Sequence, residues 1–567
     1  MAYDSLNLNL KSKPQHTFDA IIVGSGISGG WAAKELCEKG LKVLLLERGE
    51  DVRHPLYPTA TKDPWQFEHR LNLTEEDKRT HPIQSRHWSF VEDNKHYYIQ
   101  DLENPYEEEK RFDWIRGDIV GGRSLLWSRA CYRWSDLDFD ANKKEGIAVD
   151  WPIRYKDIAP WYDYVESYVG VSGHRDGIPH LPDGNFLPPF EMNCVEELFK
   201  EKIEKQFSDK RVIMGRYANL TRAIGNRGPC QARNLCHRGC PYGAYFSSNS
   251  ATLPAAFATG NLTLRPHSIV NKVIYDEQTQ RATGVEVIDT LTNEVSEFYA
   301  RLIFLNASTV ATAYILLHSV SSRFPNGLGN DSDQVGRNLM DHHKGLSATA
   351  DVEGFEDSYY SGRRPASIYV PRFRNLQGKD KDADFLRGYY FGGGAYRKRN
   401  NTDQIGAAIK EAVAKPGSWQ MSLHAFGECL PYADNRITLN QTKKDKWGRP
   451  LLSVNCDFRQ NEKSMNKDIS AKAEELLHTA GFSNIRVRNV MSFPGNSNHE
   501  MGTVRMGRDP KTSVLNAFNQ MHAVKNVFVT DGSCMTSSSC VNPSLTYMAL
   551  TARACDYAVK QINKREI

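Results

Sequence analysis

FDAIIVGSGISGGWAAKELCEKGLKVLLLE, residues 18–47, is the stretch from which the fold is read. The apolar run 18–23 predicts a strand, GSGISGG a tight turn, WAAKELCEKG a helix, and LKVLLLE a second strand ending at Glu47. Strand, turn, helix and strand in that order open a parallel sheet. Gly24, Gly26 and Gly29 spell G-x-G-x-x-G across the turn. The first permits the turn, the second lets backbone approach a pyrophosphate, and the third allows close helix–strand packing. Free N–H groups at the helix start suit phosphate. Glu47, about 20 residues on, stands where a carboxylate accepts from ribose hydroxyls. The motif predicts dinucleotide binding and leaves FAD and NAD open.

The surrounding chain is that of an ordinary globular protein. It has 567 residues, 25% charged and 40% hydrophobic, with a net charge of +4. The length exceeds one compact core and predicts two domains. The charge balance points to neither nucleic acid nor a membrane surface. No apolar run reaches the roughly 18 residues of a membrane span. The start, MAYDSLNLNLKSKPQHTFDA, shows neither an apolar signal core nor a twin-arginine pair. Read alone it predicts a cytoplasmic protein, although export on a signal-bearing partner stays open.

Further along, residues 51–115 read as irregular excursions with some helix, and VGGRSLLWS (120–128) as a glycine-rich loop. Strands are predicted within 262–305 and 345–460, and helices at TVATAYILLHS, 462–480 and 543–563. Eleven cysteines are scattered except for GPCQARNLCHRGCPYGA at 228–244. There, Cys230, Cys236 and Cys240 follow C-x5-C-x3-C, with Pro241 after the last. Three thiolates without an obvious fourth suit a 3Fe-4S cluster, and a C-x3-C-P ending occurs in ferredoxin runs. Arg233, His237 and Arg238 are expected to lower the thiol pKa values. Zinc with His237 or a distant residue as fourth ligand, and a metal-free loop, are the alternatives.

Several motifs together resemble the glucose–methanol–choline (GMC) oxidoreductase family. They are the N-terminal fingerprint, VGGRSLLW, ATGVEV, GRNLMDH at 336–342, NHEMGTVRMG at 498–507, VFVTDGS at 527–533 and CVNPSLTYMALTARACDYA at 540–558, in the family's order. The resemblance implies FAD between a flavin domain and a substrate domain. It makes His499, in H-x-x-G-T, the catalytic base beside the flavin, and Asn542, in VNPSLT, the second catalytic position. A near-neutral imidazole can take a hydroxyl proton while hydride leaves the same carbon. An amide can hold that oxygen without competing for the proton.

The cofactor-contacting set implied is Gly24, Gly26, Gly29, Glu47, Gly121, Gly122, Ser124, Trp127, Ser128, Val270, Asp531 and Gly532. VGGRSLLWS resembles the pyranose oxidase segment in which a histidine before the tryptophan carries flavin covalently. Leu126 stands there, so non-covalent FAD is expected. His342 and His343 are read as structural, and His424 as facing either substrate or core.

The expected fold is α/β, a Rossmann-like FAD-binding domain interleaved with a substrate-binding domain of β-sheet plus helices. The FAD domain is assigned 1–50, 101–130, 215–335 and 500–567, including the loop 228–243. The substrate domain takes 51–100, 131–214 and 336–499. The cysteine spacing is similar to that of bacterial FAD-dependent glucose and glucoside 3-dehydrogenase catalytic subunits. This implies oxidation of a secondary pyranose hydroxyl, C3 by resemblance. Electrons would pass through the cluster to a cytochrome c, with a small signal-bearing subunit carrying the chain to the periplasm. The alternatives are an oxidase reducing dioxygen to peroxide and a non-catalytic flavin electron-transfer subunit.

Overall fold

A computed structural model describes residues 18–52, 62–358, 364–398, 400, 403 and 405–567. The reading of residues 1–17 as lacking an export signal lies outside the described residues. The opening motif folds as predicted: strand Phe18–Val23, helix Ile27–Glu38, strand Val43–Leu46. These strands pair in parallel, and Leu262–Arg265 adds outside Val43–Leu46. On the other side Phe18–Val23 pairs with Val295–Leu305, which also takes Val527–Val529 in parallel. The strands are apolar throughout because helices cover both faces of such a sheet. The long strand Val295–Leu305 leaves the parallel sheet at its N-terminal end. There it joins an antiparallel meander with Arg281–Asp289 and Ser268–Asp276. The final helix, Ser544–Asn563, packs on helix Ile27–Glu38, bringing the two chain ends of the described region into one layer.

A second sheet is antiparallel. Its order is Ser483–Asn489, Leu346–Val352, Trp419–Gly427, Tyr389–Arg397, Ile368–Val370 and Ile213–Met214. Alternation along its strands divides its faces. Tyr389, Phe391, Ala395, Trp419, Met421, Leu423 and Ala425 pack against helices Cys194–Gln206 and Gln460–Thr479 in one core. The intervening residues Tyr390, Gly392, Gly394, Ser422, His424 and Phe426 line a cavity instead. A smaller sheet, Met501–Thr503, Arg337–Met340, Arg436–Lys444, Pro450–Asn455 and Glu107–Glu108, connects the layers.

The fold is therefore the α/β one expected, with a parallel nucleotide-type sheet assembled from distant segments and an antiparallel sheet facing it across a cleft. Residues 62–115 contain short helical turns and little else, as expected.

Candidate active site

One cavity of about 1210 Å³ joins the two sheets. That exceeds the roughly 300–1,000 Å³ of ordinary small-molecule pockets, and leaves room for a dinucleotide and a substrate together. Gly24, Gly26, Glu47, Gly122, Ser124, Trp127, Ser128, Val270, Asp531 and Gly532 all line it, as do His499, Asn542, Cys230, Cys236 and Cys240. Gly121 and Gly29 lie just behind that lining. Gly121 packs on Asn249, and Gly29 on the Gly24 carbonyl.

The nucleotide end fits an anionic dinucleotide. Helix Ile27–Glu38 begins at Gly26 with no side-chain cap and no acidic residue in its first turn. Its N–H groups and positive dipole end are thus left for a phosphate. A Cβ on Gly26 would meet nothing within 4 Å, which marks open cleft above it. Asn306 Nδ2 is buried beside the cleft without a partner, a donor for which a bound ligand would supply the acceptor. Glu47 accepts from Ser25 N at 3.0 Å, Ser25 Oγ at 2.6 Å and Gly49 N at 3.1 Å, which braces the turn as well as facing the cleft. Asp531 accepts from Ser308 N at 3.0 Å, Thr312 Oγ1 at 2.6 Å and Ser533 N at 2.9 Å. Both of its oxygens serve neighbouring backbone turns, so its place in the site is that of a brace. Ser124 Oγ donates to Gly121 O and accepts from Ser248 N, holding the glycine-rich loop closed. Leu126, which has no nucleophile, lines the cavity.

At the other end His499 and Asn542 meet. Asn542 Nδ2 lies 3.2 Å from His499 Nε2, and Tyr390 Oη donates to Asn542 Oδ1 at 3.4 Å. Behind His499, its Nδ1 lies 3.0 Å from Nδ1 of His342. His342 Nε2 in turn contacts the Ser539 carbonyl. A carbonyl only accepts, so His342 carries its proton on Nε2. Burial pulls His342 down to about 4, so it is neutral and its Nδ1 is a bare acceptor. His499 must then donate from Nδ1, which leaves His499 Nε2 as the free lone pair facing Asn542. The second histidine thus assigns the tautomer of the first. His342, read from sequence as structural, belongs to the site. His343 keeps its structural reading, buried against Phe458 and Met465.

Asp341 explains the rest of the GRNLMDH motif. Its carboxylate accepts from Gly495 N at 2.8 Å, Ser497 N at 3.1 Å and His499 N at 3.1 Å, clamping the loop that carries the base. Arg123 reaches from the glycine-rich loop to Glu500 in two bonds of 3.0 and 2.7 Å. This bidentate pair ties the cofactor loop to the residue after His499.

Burial, followed by His342, Lys344, Arg123 and His87, holds the His499 imidazole well below its ordinary value of 6.5. A base works when unprotonated, and a lowered pKa keeps it unprotonated to lower pH. The acid limb of kcat/KM should therefore lie below pH 6.5. A pH profile with half-maximal activity at or above 6.5 would contradict this arrangement.

The cysteine loop borders the same cavity. Tyr245 donates to Leu125 O at 2.9 Å, joining the loop's exit to the glycine-rich segment. Tyr97 and Asn94 bond the carbonyls of Arg238 and His237. The expectation that Arg233, His237 and Arg238 lower the thiol pKa values needs correcting at Cys230. Burial, with Cys236 and Cys240 nearby, raises that thiol, and the cation that opposes the rise is Arg129. Arg238 is instead paired with buried Asp93. Among the described residues no three His, Cys, Asp or Glu side chains gather closely enough to hold one metal ion. The three thiols are near enough to perturb one another without converging on a point.

Two family models match the chain, both described as GMC oxidoreductase, over residues 18–344 and 431–551. The chain belongs to the GMC oxidoreductase family, flavoenzymes that oxidise alcohol groups, and the dinucleotide cleft is accordingly its FAD site. It is 27% identical to 2-methyl-1,2-propanediol dehydrogenase of Mycolicibacterium austroafricanum, over 96% of each chain. It is 26% identical to the fructose dehydrogenase large subunit of Gluconobacter japonicus, covering 96% of this chain and 98% of that one. Pyridoxine 4-oxidase from Mesorbium loti shares the fold, with a TM-score of 0.59 at 18% identity over 96% of this chain and 99% of that one.

Tyr390, Tyr369 and Lys344 also line the cavity and were not singled out from sequence, and His424, read as facing either substrate or core, lines it too. The signal available for His424 was the alternation in QMSLHAFG (420–427), of which Ser422, His424 and Phe426 face the cavity once the other face is known to be core.

Proposed function

We propose that this protein oxidises a secondary hydroxyl of a pyranose, C3 of glucose or a glucoside being the position implied by resemblance. The observation that carries the reading is that His499 Nε2 and Asn542 Nδ2 face each other across 3.2 Å in the cavity shared with the nucleotide cleft. A substrate hydroxyl entering between them donates its proton to His499 and accepts from Asn542. It replaces one weak contact by two hydrogen bonds. His342 accepts from the far side of His499 and keeps the reactive nitrogen bare until the proton arrives. FAD, when bound, supplies the acceptor for the two electrons that leave the carbon as hydride. Tyr132, Tyr369, Tyr390 and Phe426 are mutually stacked or tilted along the cavity wall. Such a ring surface suits the apolar face of a sugar.

We further propose that Cys230, Cys236 and Cys240 hold a 3Fe-4S cluster that hands electrons singly to a cytochrome c. The thiols' place on the wall of the flavin cavity supports this reading. So does likeness to a protein named as a large subunit, which agrees with a small, signal-bearing partner and a periplasmic location by co-export. Electron paramagnetic resonance of oxygen-protected protein should show an oxidised three-iron signal. Cys236→Ser should lose that signal and reduction of cytochrome c, while anaerobic flavin bleaching by sugar survives. Iron-free, fully active protein with strong dioxygen turnover would overturn the cluster and favour a peroxide-forming oxidase.

A further inference from the structure

Lys344 lies on the cavity face of the antiparallel sheet. The short strand His343–Lys344 pairs with Trp419–Gly427 in the register Lys344 to Phe426. Cross-strand partners share a face. Phe426 faces His499, with ring centroids 5.5 Å apart, and stacks on Tyr390, so Lys344 stands in the same row as the reacting end of the site. One step along the strand, His424 lies on that face opposite Gly392, where a Cβ would come within 2.5 Å of His424 Nε2. Glycine at 392 gives the imidazole its space. Lys344 and His424 both line the cavity.

The ammonium of Lys344 has no hydrogen bond or ion pair to the protein among the described residues, and His424 likewise makes no ring hydrogen bond. The charges around them are already engaged. Asp341 is occupied by three backbone N–H groups, Asp113 by Arg86 at 2.7 Å, and Glu500 by Arg123. Burial pulls Lys344 down to about 8, and Asp341 and Asp113 act against that pull. A half-buried ammonium that faces a substrate cavity and makes no direct ion pair keeps its donors available to an anionic ligand.

We propose that Lys344, assisted by His424, is an anion subsite, and that the pyranose oxidised here carries an acidic group, a carboxylate or a phosphate. This rests on the pyranose reading and narrows it from neutral glucosides to acidic sugars. The anion fixes one end of the ring against Lys344, while His499 and Asn542 hold the reacting hydroxyl at the other.

The test uses the flavin-loaded enzyme without oxygen, with D-glucose, D-glucuronate and D-glucose 6-phosphate as ligands and flavin bleaching and thermal stabilisation as readouts. One or both acidic sugars should bind at least about tenfold tighter than glucose, as expected for a charge-assisted contact, and which of them does so distinguishes carboxylate from phosphate. Lys344→Met should abolish that preference, and Lys344→Arg should retain it. Glucose binding as tightly as both acids, or an unchanged preference in Lys344→Met, would overturn the subsite. Inorganic phosphate separates the two readings. If no sugar binds but phosphate stabilises the wild-type enzyme and not Lys344→Met, the subsite stands and the pyranose reading falls. If phosphate also fails, both fall.

Discussion

Replacing His499 by alanine lowers kcat/KM for alcohol oxidation by about 10³-fold, within the 10²–10⁴ typical of a lost general base. The flavin stays bound, because His499 braces no part of the nucleotide cleft. The reason for so large an effect is the tautomer chain. Ser539 O, His342 and His499 are linked so that the nitrogen His499 leaves unprotonated is Nε2, the one facing Asn542. His342→Ala should cost less, about tenfold, because His499 can then adopt either tautomer and part of the population presents N–H to the substrate. Its acid limb should also move, because His342 is one of the groups that hold the His499 imidazole down. A merely structural role for His342 would change stability and leave the limb in place. If His499→Ala turns over within tenfold of wild type, the proton goes elsewhere and the site has been misread.

The second large effect is at the opening motif. Gly29→Ala should abolish stable flavin binding, read as the loss of visible absorbance relative to protein absorbance after gel filtration. A Cβ there would sit 1.7 Å from the Gly24 carbonyl oxygen, a backbone atom with no room to retreat. Helix and strand must separate, at a cost at or above the upper end of overpacking, about 3 kcal/mol. Gly26→Ala provides the contrast. Gly26 has φ −62 and open space beside it, so alanine is accommodated without strain. That variant should fold normally and lose flavin affinity alone, because its methyl group projects where the pyrophosphate must approach. Equal flavin content in both variants and wild type would disprove the phosphate cradle.

These results bear on how the two halves of the cavity cooperate. Arg123 joins the cofactor loop to Glu500, and Asp341 joins the GRNLMDH segment to the His499 loop. Base, cofactor loop and substrate sheet are thus cross-braced by buried ionic and charge-assisted contacts. Fixed donors of this kind lose little freedom when substrate arrives. The cysteine loop is held to the same frame through Tyr245 and Leu125, which keeps its distance from the flavin site constant.

Local sequence determined the nucleotide half of this protein. Residues 18–47 contain their own turn, helix and strand, and Gly29 answers to a contact inside the motif, with the Gly24 carbonyl, so spacing alone was enough to read it. His499, Asn542 and the three cysteines also stood out, because few residue types do their chemistry and their flanking motifs are short and ordered. The tertiary structure decided what depends on distant pairing. His342 became a partner of His499 through a contact 157 residues apart in sequence, and Lys344 and His424 became cavity residues through strand register. A period-2 pattern divides a strand's residues into two faces, but which face meets solvent, core or substrate is set by the helices that cover one side. The thiol environment followed the same rule. The cation that acts on Cys230 is Arg129, about a hundred residues away in sequence, because electrostatics follows distance in space and not along the chain.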